Sequence, residues 1–218
     1  MAHLSCYRFT NLPPEIINIV ERDIEVFHAE NDTSQLIDNV VNKDIRNSKN
    51  SWIPDSHWIA GWLWYYVQKI NYENFKYDII DIDAGTLQYT HYGVGEFYNW
   101  HQDGDIDTCH IPQTKVASKN NISKDQIILQ GELVRKLSFS LQLSDPEDYE
   151  GGELEFLDNQ DEPFFAPKQK GTIVVFDSRV KHRVREVTNG LRKSIVGWVV
   201  GPRSVSYTHL TLPTTRHV

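Results

Sequence analysis

The chain has 218 residues, 39% of them hydrophobic and 24% charged, with a net charge of −8. That length allows one domain with a sizeable core, and the acidic balance argues against nucleic acid or an anionic membrane surface as the main partner. No run approaches the roughly 18 apolar residues of a membrane span, and the two cysteines, Cys6 and Cys109, make neither a disulfide framework nor a Cys-rich zinc motif.

The opening "MAHLSCYRFTNLPPEI" has no charged-then-apolar leader pattern, so a cytoplasmic setting is expected. Next, "LPPEIINIVERDIEVFHAE" puts Pro-Pro at a helix start and spaces Ile16, Ile17, Val20, Ile24 and Phe27 near the helical period. The polar stretch 29–50 reads as a connection with a short strand around 36–41. In "PDSHWIAGWLWYYVQKIN", Asp55 or Ser56 is placed to cap a second helix. Its stripe of Trp58, Ile59, Trp62, Tyr65, Tyr66 and Ile70 is expected to press on one face of a sheet.

From Lys76 onward the period changes. "YDIIDI", "TLQYTHY", "EFYNWH", "LVRKLSFSLQL", "GELEFL", "GTIVVF", "HRVREV" and "KSIVGWVV" are short β-rich runs bounded by Gly, Asp, Asn or Pro. Many short strands without βαβ alternation predict a mainly β jelly roll, with N-terminal helices covering one sheet. The expected organisation is helices over 1–75, a jelly-roll core over 76–203 and a tail over 204–218. The core is interrupted by a long polar insertion, 104–131, of the kind that usually serves as a lid or stays unstructured. The tail, "SYTHLTLPTTRHV" and its neighbours, has a different, Thr-rich texture and reads as non-native, so His209 and His217 are set aside.

The segment "NWHQDGD" carries the chemistry. Two His and one carboxylate on one face suit a hard first-row metal and leave positions open for oxygen chemistry. Residues i and i+2 of a strand point to the same side, so His101 and Asp103 can converge on one ion. A third ligand is available from a neighbouring strand, His182, just after "GTIVVFDSR". The competitors are weaker: His28 and Glu30 share the spacing but end a helix, where i and i+2 diverge. His3, His57, His91 and His110 have no carboxylate two residues on. Asp103, Asp105 and Asp107 suggest a calcium loop, but no regular ligand frame or closing Glu follows.

Four blocks occur in order: "LQYTHYGVGEFYNWHQD", "RKLSFSLQLSDPEDYEGGELEF", "PKQKGTIVVFDSRVKHRV" and "EVTNGLRKSIVGW". Together, over roughly 86–198, they resemble the non-haem Fe(II), 2-oxoglutarate-dependent dioxygenases, and within them the prolyl 4-hydroxylase-like group. The resemblance implies a double-stranded β-helix, with His101, Asp103 and His182 as iron ligands. It implies Arg192 as the basic residue for the distal carboxylate of 2-oxoglutarate, a role that suits a guanidinium, which keeps its charge when buried. Lys193 should face the other way. Tyr92 matches the tyrosine that hydrogen-bonds the cosubstrate; Tyr98 is either a second such group or core. Trp100 and Trp198 either wall the pocket or pack in the core, and Gly151 and Gly152 permit a tight turn.

The activity implied is hydroxylation of a prolyl residue or an amino-acid-like substrate, with Fe(II), 2-oxoglutarate and O2 consumed or required and ascorbate as a supporting reductant. Succinate and CO2 are released. The partner is then a peptide, protein or small-molecule substrate, with no nucleic acid or membrane; the sequence does not give the oligomeric state. Two other readings compete. One is a non-enzymatic metal-binding jelly roll; the other is a cupin-type oxygenase that does not use 2-oxoglutarate.

Overall fold

The computed structural model describes residues 7–30, 32–33, 45–104, 133–157 and 162–202. Its elements are β1 (Tyr7–Asn11), α1 (Pro14–Ile24), β2 (Asp32–Thr33), β3 (Arg46–Asn47), β4 (Lys49–Trp52) and α2 (Trp58–Ile70). They continue with β5 (Asp81–Ile82), β6 (Gln88–Tyr92), β7 (Phe97–His101), β8 (Leu133–Gln142), β9 (Tyr149–Gly151) and β10 (Leu154–Leu157). The last are β11 (Pro163–Phe165), β12 (Thr172–Asp177), β13 (His182–Val184), β14 (Val187–Gly190) and β15 (Arg192–Pro202).

The strands form two main antiparallel sheets. The larger runs β1-β12-β8-β15-β6-β4-β2, with β5 also pairing β15; the smaller runs β11-β10-β13-β7-β3, and β9 and β14 make a separate ribbon. This is the expected mainly β layout. Alternation in "LSFSLQL" sends Leu137, Phe139 and Leu141 to the helix-covered face, where they pack with Ile173, Val175, Ile195 and the helices. A second core, Phe156, Leu154, Val174, Phe176, Val184 and Val187, fills the space between the sheets.

Several elements differ from the sequence expectation. The segment ahead of residue 76 supplies more than helices: β1 pairs β12, β4 pairs β6 and β3 pairs β7, so it extends both sheets. β3 and β4 are short and polar and lack the apolar alternation by which strands are read, and β1, which does alternate Tyr7 and Phe9 with polar residues, is only five residues long. Of "YDIIDI" only Asp81 and Ile82 join a ladder. The strand expected around 36–41, the insertion beyond Gly104 and the tail from 204 lie outside the described residues.

Helix α1 buries Ile17, Val20 and Ile24, as its spacing predicts. Helix α2 begins one or two residues later than expected, with His57 rather than Asp55 or Ser56 as N-cap, accepting from the Ile59 amide at 3.4 Å. Its inward face is shifted from the expected stripe: Ile59 and Ile70 are buried together with Ala60, Leu63 and Val67, Trp62 and Tyr66 pack at the edge of that core, and Trp58 and Tyr65 are exposed. Aliphatic side chains pack onto a sheet without leaving a polar tip behind, whereas Trp58 needs a partner for its indole N–H and finds Asp23 at 2.9 Å. Among the described residues no helix is long and apolar enough to cross a membrane.

This orientation of α2 is testable by urea unfolding. Leu63→Ala is expected to cost about 2–5 kcal/mol, and the exposed Tyr65→Ala to change stability by less than about 0.5 kcal/mol. The reverse order would mean that the aromatic stripe faces the sheet.

Candidate metal and cosubstrate site

His101 ends β7 and His182 begins β13, and the two are direct register partners across that ladder. The next register pair is Val184 with Tyr98, so three positions on β7 answer two on β13. This bulge sends both Tyr98 and His101 inward. Their rings stack with centroids 3.6 Å apart, and the His101 and His182 centroids lie at 4.1 Å.

Asp103 lies just beyond the strand. Its carboxylate is 3.6 Å from His101 Nε2 and 3.3 Å from His182 Nε2. The backbone amides of Asp103 and Gly104 both donate to the Ser178 carbonyl at 2.9 Å. Ser138 Oγ donates to the carboxylate at 2.8 Å, so its contact with Ser178 Oγ at 2.9 Å is one in which Ser178 donates. A Cβ on Gly104 would stand 2.9 Å from the Arg135 carbonyl oxygen and 3.1 Å from Ser178 Cβ. A glycine is therefore needed for the chain to lie this close to β8.

Both imidazoles are oriented from behind. His101 Nδ1 is 2.7 Å from the Asn99 carbonyl and His182 Nδ1 is 2.9 Å from the Val180 carbonyl. A carbonyl can only accept, so each Nδ1 carries a proton and each Nε2, the nitrogen nearer Asp103, is the one left to ligate a metal. Burial, reinforced by the adjacent His182, pushes the His101 pKa down to about 3, so this ring is neutral at physiological pH. Burial works to raise the Asp103 pKa, but the charge of the adjacent imidazoles, when they are protonated, outweighs it and holds the carboxyl well below the usual range. Neutral nitrogen donors and a carboxylate, all within 4.8 Å of one another, fit a divalent metal.

The same recess contains Tyr92, Tyr98 and Arg192, bringing together every site residue expected from the sequence. Arg192 is buried and is the register partner of Tyr92, with its guanidinium 5.6 Å from that ring. It donates to Ser194 Oγ at 3.3 Å, and among the described residues no carboxylate pairs with it. A buried guanidinium without a carboxylate fits a dianionic cosubstrate. Lys193 points the other way, toward Glu21 on α1. Trp198 walls the recess, with the Arg135 guanidinium 4.1 Å from its centroid and ion-paired to Asp83. Trp100 packs instead against Arg183. Gly151 and Gly152 both have positive φ, and a Cβ on Gly152 would lie 3.1 Å from Arg192 Cδ, so this turn also makes room for the arginine.

Sequence reasoning missed Arg46. It is buried, lines the recess and donates to Ser48 Oγ, Asn50 Oδ1 and Gln88 Oε1. The signal is a polar alternation: Arg46, Ser48 and Asn50 face inward while Lys49 is exposed. Ser138 and Ser178 were also missed as supports of Asp103.

A family description for the 2OG-Fe(II) oxygenase superfamily matches residues 87–200. A PKHD-type hydroxylase of Parvibaculum lavamentivorans is 46% identical over 63 residues, 29% of this chain and 28% of that protein. One from a Picosynechococcus strain is 33% identical over 114 residues, 52% of this chain and 41% of that protein. The chain thus spans less than half the length of these relatives. Among solved structures, a Pseudomonas putida prolyl-4-hydroxylase superposes with a TM-score of 0.64 at 17% identity, covering 93% of this chain and 95% of that one. A Trichoplax adhaerens prolyl hydroxylase, in complex with a hypoxia inducible factor peptide fragment, gives 0.67 at 17% identity, covering 91% and 84%.

Two outcomes check the geometry. Gly104→Ala should destabilise the fold by about 1–3 kcal/mol through overpacking and weaken divalent-metal binding, read by calorimetric titration; unchanged affinity would separate Gly104 from the site. The depressed His101 pKa means that the unfolded chain binds more protons than the folded one between about pH 3 and the ordinary 6.5. Stability of the metal-free protein should therefore fall as pH drops through that window. In His101→Ala the fall should be smaller, as measured by urea unfolding at stepped pH.

Proposed function

Because the chain belongs to the 2OG-Fe(II) oxygenase superfamily, we propose that His101, Asp103 and His182 hold its Fe(II) and that Arg192, with Tyr92, holds 2-oxoglutarate. The observation that carries this reading is the convergence of the two register-paired histidines, Asp103 and an arginine without a carboxylate partner on one recess. Bound Fe(II) supplies the O2 chemistry, coupling decarboxylation of 2-oxoglutarate to succinate and CO2 with hydroxylation of the substrate.

The protein's own groups do the rest. The Asn99 and Val180 carbonyls keep both ligand rings in the metal-binding tautomer. Tyr98 holds the His101 plane by stacking. Arg192 fixes the cosubstrate by one end, and Leu154, Phe176, Val184 and Trp198 keep water from the reacting centre.

The substrate is proposed to be a prolyl residue of a peptide or protein, or a molecule like one. The structural neighbours support that class, one of them holding a peptide. Arg46 adds a requirement. Its hydrogen-bond partners are neutral, and among the described residues no carboxylate pairs with it, so the substrate should present an acceptor oxygen beside the carbon that reacts.

Mixing the protein with Fe(II) and 2-oxoglutarate without O2 should give a visible charge-transfer band, and admitting O2 should give succinate. The band should weaken in His101→Ala and His182→Ala. In Arg192→Ala it should require on the order of a hundredfold more 2-oxoglutarate. No band with the wild type would reject the cosubstrate, and a band undiminished in both histidine variants would reject the ligands.

A further inference from the structure

Three successive carbonyls just past β12 grip the segments that carry the metal-type donors. The Ser178 carbonyl accepts from the amides of Asp103 and Gly104 at 2.9 Å. The Arg179 carbonyl accepts from Gln102 Nε2 at 2.5 Å, and the Val180 carbonyl holds His182 Nδ1 at 2.9 Å. One turn, 177–180, therefore sets both the backbone of Asp103 and the ring of His182.

What fixes this turn lies outside the recess. It closes through the Val180 amide, which donates to the Asp177 carbonyl at 2.9 Å. The Asp177 side chain then locks it, as aspartate does in turns: Oδ1 accepts from the Arg179 amide at 2.9 Å and from Arg179 Nε at 2.8 Å. Oδ2 accepts from Arg179 Nη2 and from the Tyr77 hydroxyl, both at 2.5 Å. Burial works to raise the Asp177 pKa, but the hydrogen bonds from Arg179 and Tyr77 outweigh it, so the carboxylate is charged at neutral pH. Tyr77 comes from the connection between α2 and β5, where Asn71 at the end of α2 clasps its backbone. Asn71 Oδ1 accepts from the Tyr77 amide at 3.0 Å, and Asn71 Nδ2 donates to the Tyr77 carbonyl at 2.9 Å.

Stability alone is a poor account of this arrangement. The Arg179 side chain is half exposed, and such ion pairs contribute little. Metal ligands, by contrast, must be held to within a fraction of an ångström by the groups behind them. We propose that Asp177 is a positioning residue for the metal site and that Tyr77 acts through it, the pinned turn holding Asp103 and His182 at the spacing a divalent ion needs. The assignment rests on the proposed function, in which those two residues are ligands. Neither Asp177 nor Tyr77 lines the recess itself.

Calorimetric titration of the metal-free protein with Mn(II) tests the assignment. Asp177→Ala should raise the Kd about tenfold or more, the usual loss when a group behind a ligand is removed. Tyr77→Phe keeps the ring and removes one hydroxyl; it should raise the Kd about threefold or more. In the double variant it should add nothing to Asp177→Ala, because it acts through that carboxylate. Leu63→Ala, a core truncation on α2, should lower stability yet leave the Kd within about twofold. Co(II) bound to Asp177→Ala should show visible absorption bands displaced from those of the wild type, a change in coordination geometry that lost stability does not produce. A Kd unchanged in Asp177→Ala, or additive losses in the double variant, overturns the positioning role. If Asp177→Ala does not fold, Tyr77→Phe decides alone, and an unchanged Kd there overturns it. A wild type whose Mn(II) binding survives Asp103→Ala fails the underlying metal reading instead, so the two failures are distinguishable.

Discussion

Asp103 leaves the end of β7 in the small sheet and is fastened to the large one. Its amide and that of Gly104 bond to the Ser178 carbonyl just past β12, and its carboxylate accepts from Ser138 on β8. His101 and His182 come from the small sheet, and Arg192 from the large. The site therefore exists only where the two sheets are held at one spacing, and the Asp103 tether spans that gap. The bulge on β7 matters for the same reason: it gives the small sheet two inward rings, Tyr98 and His101, where a regular strand would give one.

The interior of the jelly roll is accordingly divided. Toward the helices the large sheet is aliphatic, and α1 and α2 cover it. Toward the small sheet the same strands present Ser138, Ser140, Gln142, Arg192 and Ser194, all buried. Buried polar groups are costly unless partnered, and several here are partnered by one another. The guanidiniums of Arg46 and Arg192 are the exceptions in charge, each meeting neutral acceptors only. Their desolvation is the cost the fold bears for a recess that receives anionic or acceptor-rich molecules.

Much of this was legible in the sequence, for physical reasons. The histidine–aspartate pair could be read because i, i+2 geometry constrains it, although Asp103 lies one step past the strand that aims it. Arg192 and Lys193 could be told apart by alternation, and they do face opposite ways. The readings that went astray used apolar pattern as the guide. Trp58 and Tyr65 look like core residues but carry polar tips that favour the surface. "RNSKNSW" looks like a loop yet builds β3 and β4, because its inward residues Arg46, Ser48 and Asn50 join a buried polar cluster with Gln88 rather than an apolar core. The serines in "LSFSLQL" mark the same recess: in a strand covered by helices on one face, polar alternation signals a buried site as readily as a solvent face.

The central claim is that one recess binds both the metal and the cosubstrate. Diffraction from crystals grown with Mn(II) and 2-oxoglutarate in the absence of O2 tests it most directly. The account predicts anomalous density for the metal between His101 Nε2, His182 Nε2 and the Asp103 carboxylate, with the far carboxylate of 2-oxoglutarate on Arg192. Metal bound elsewhere, or 2-oxoglutarate extended away from Arg192, would contradict it.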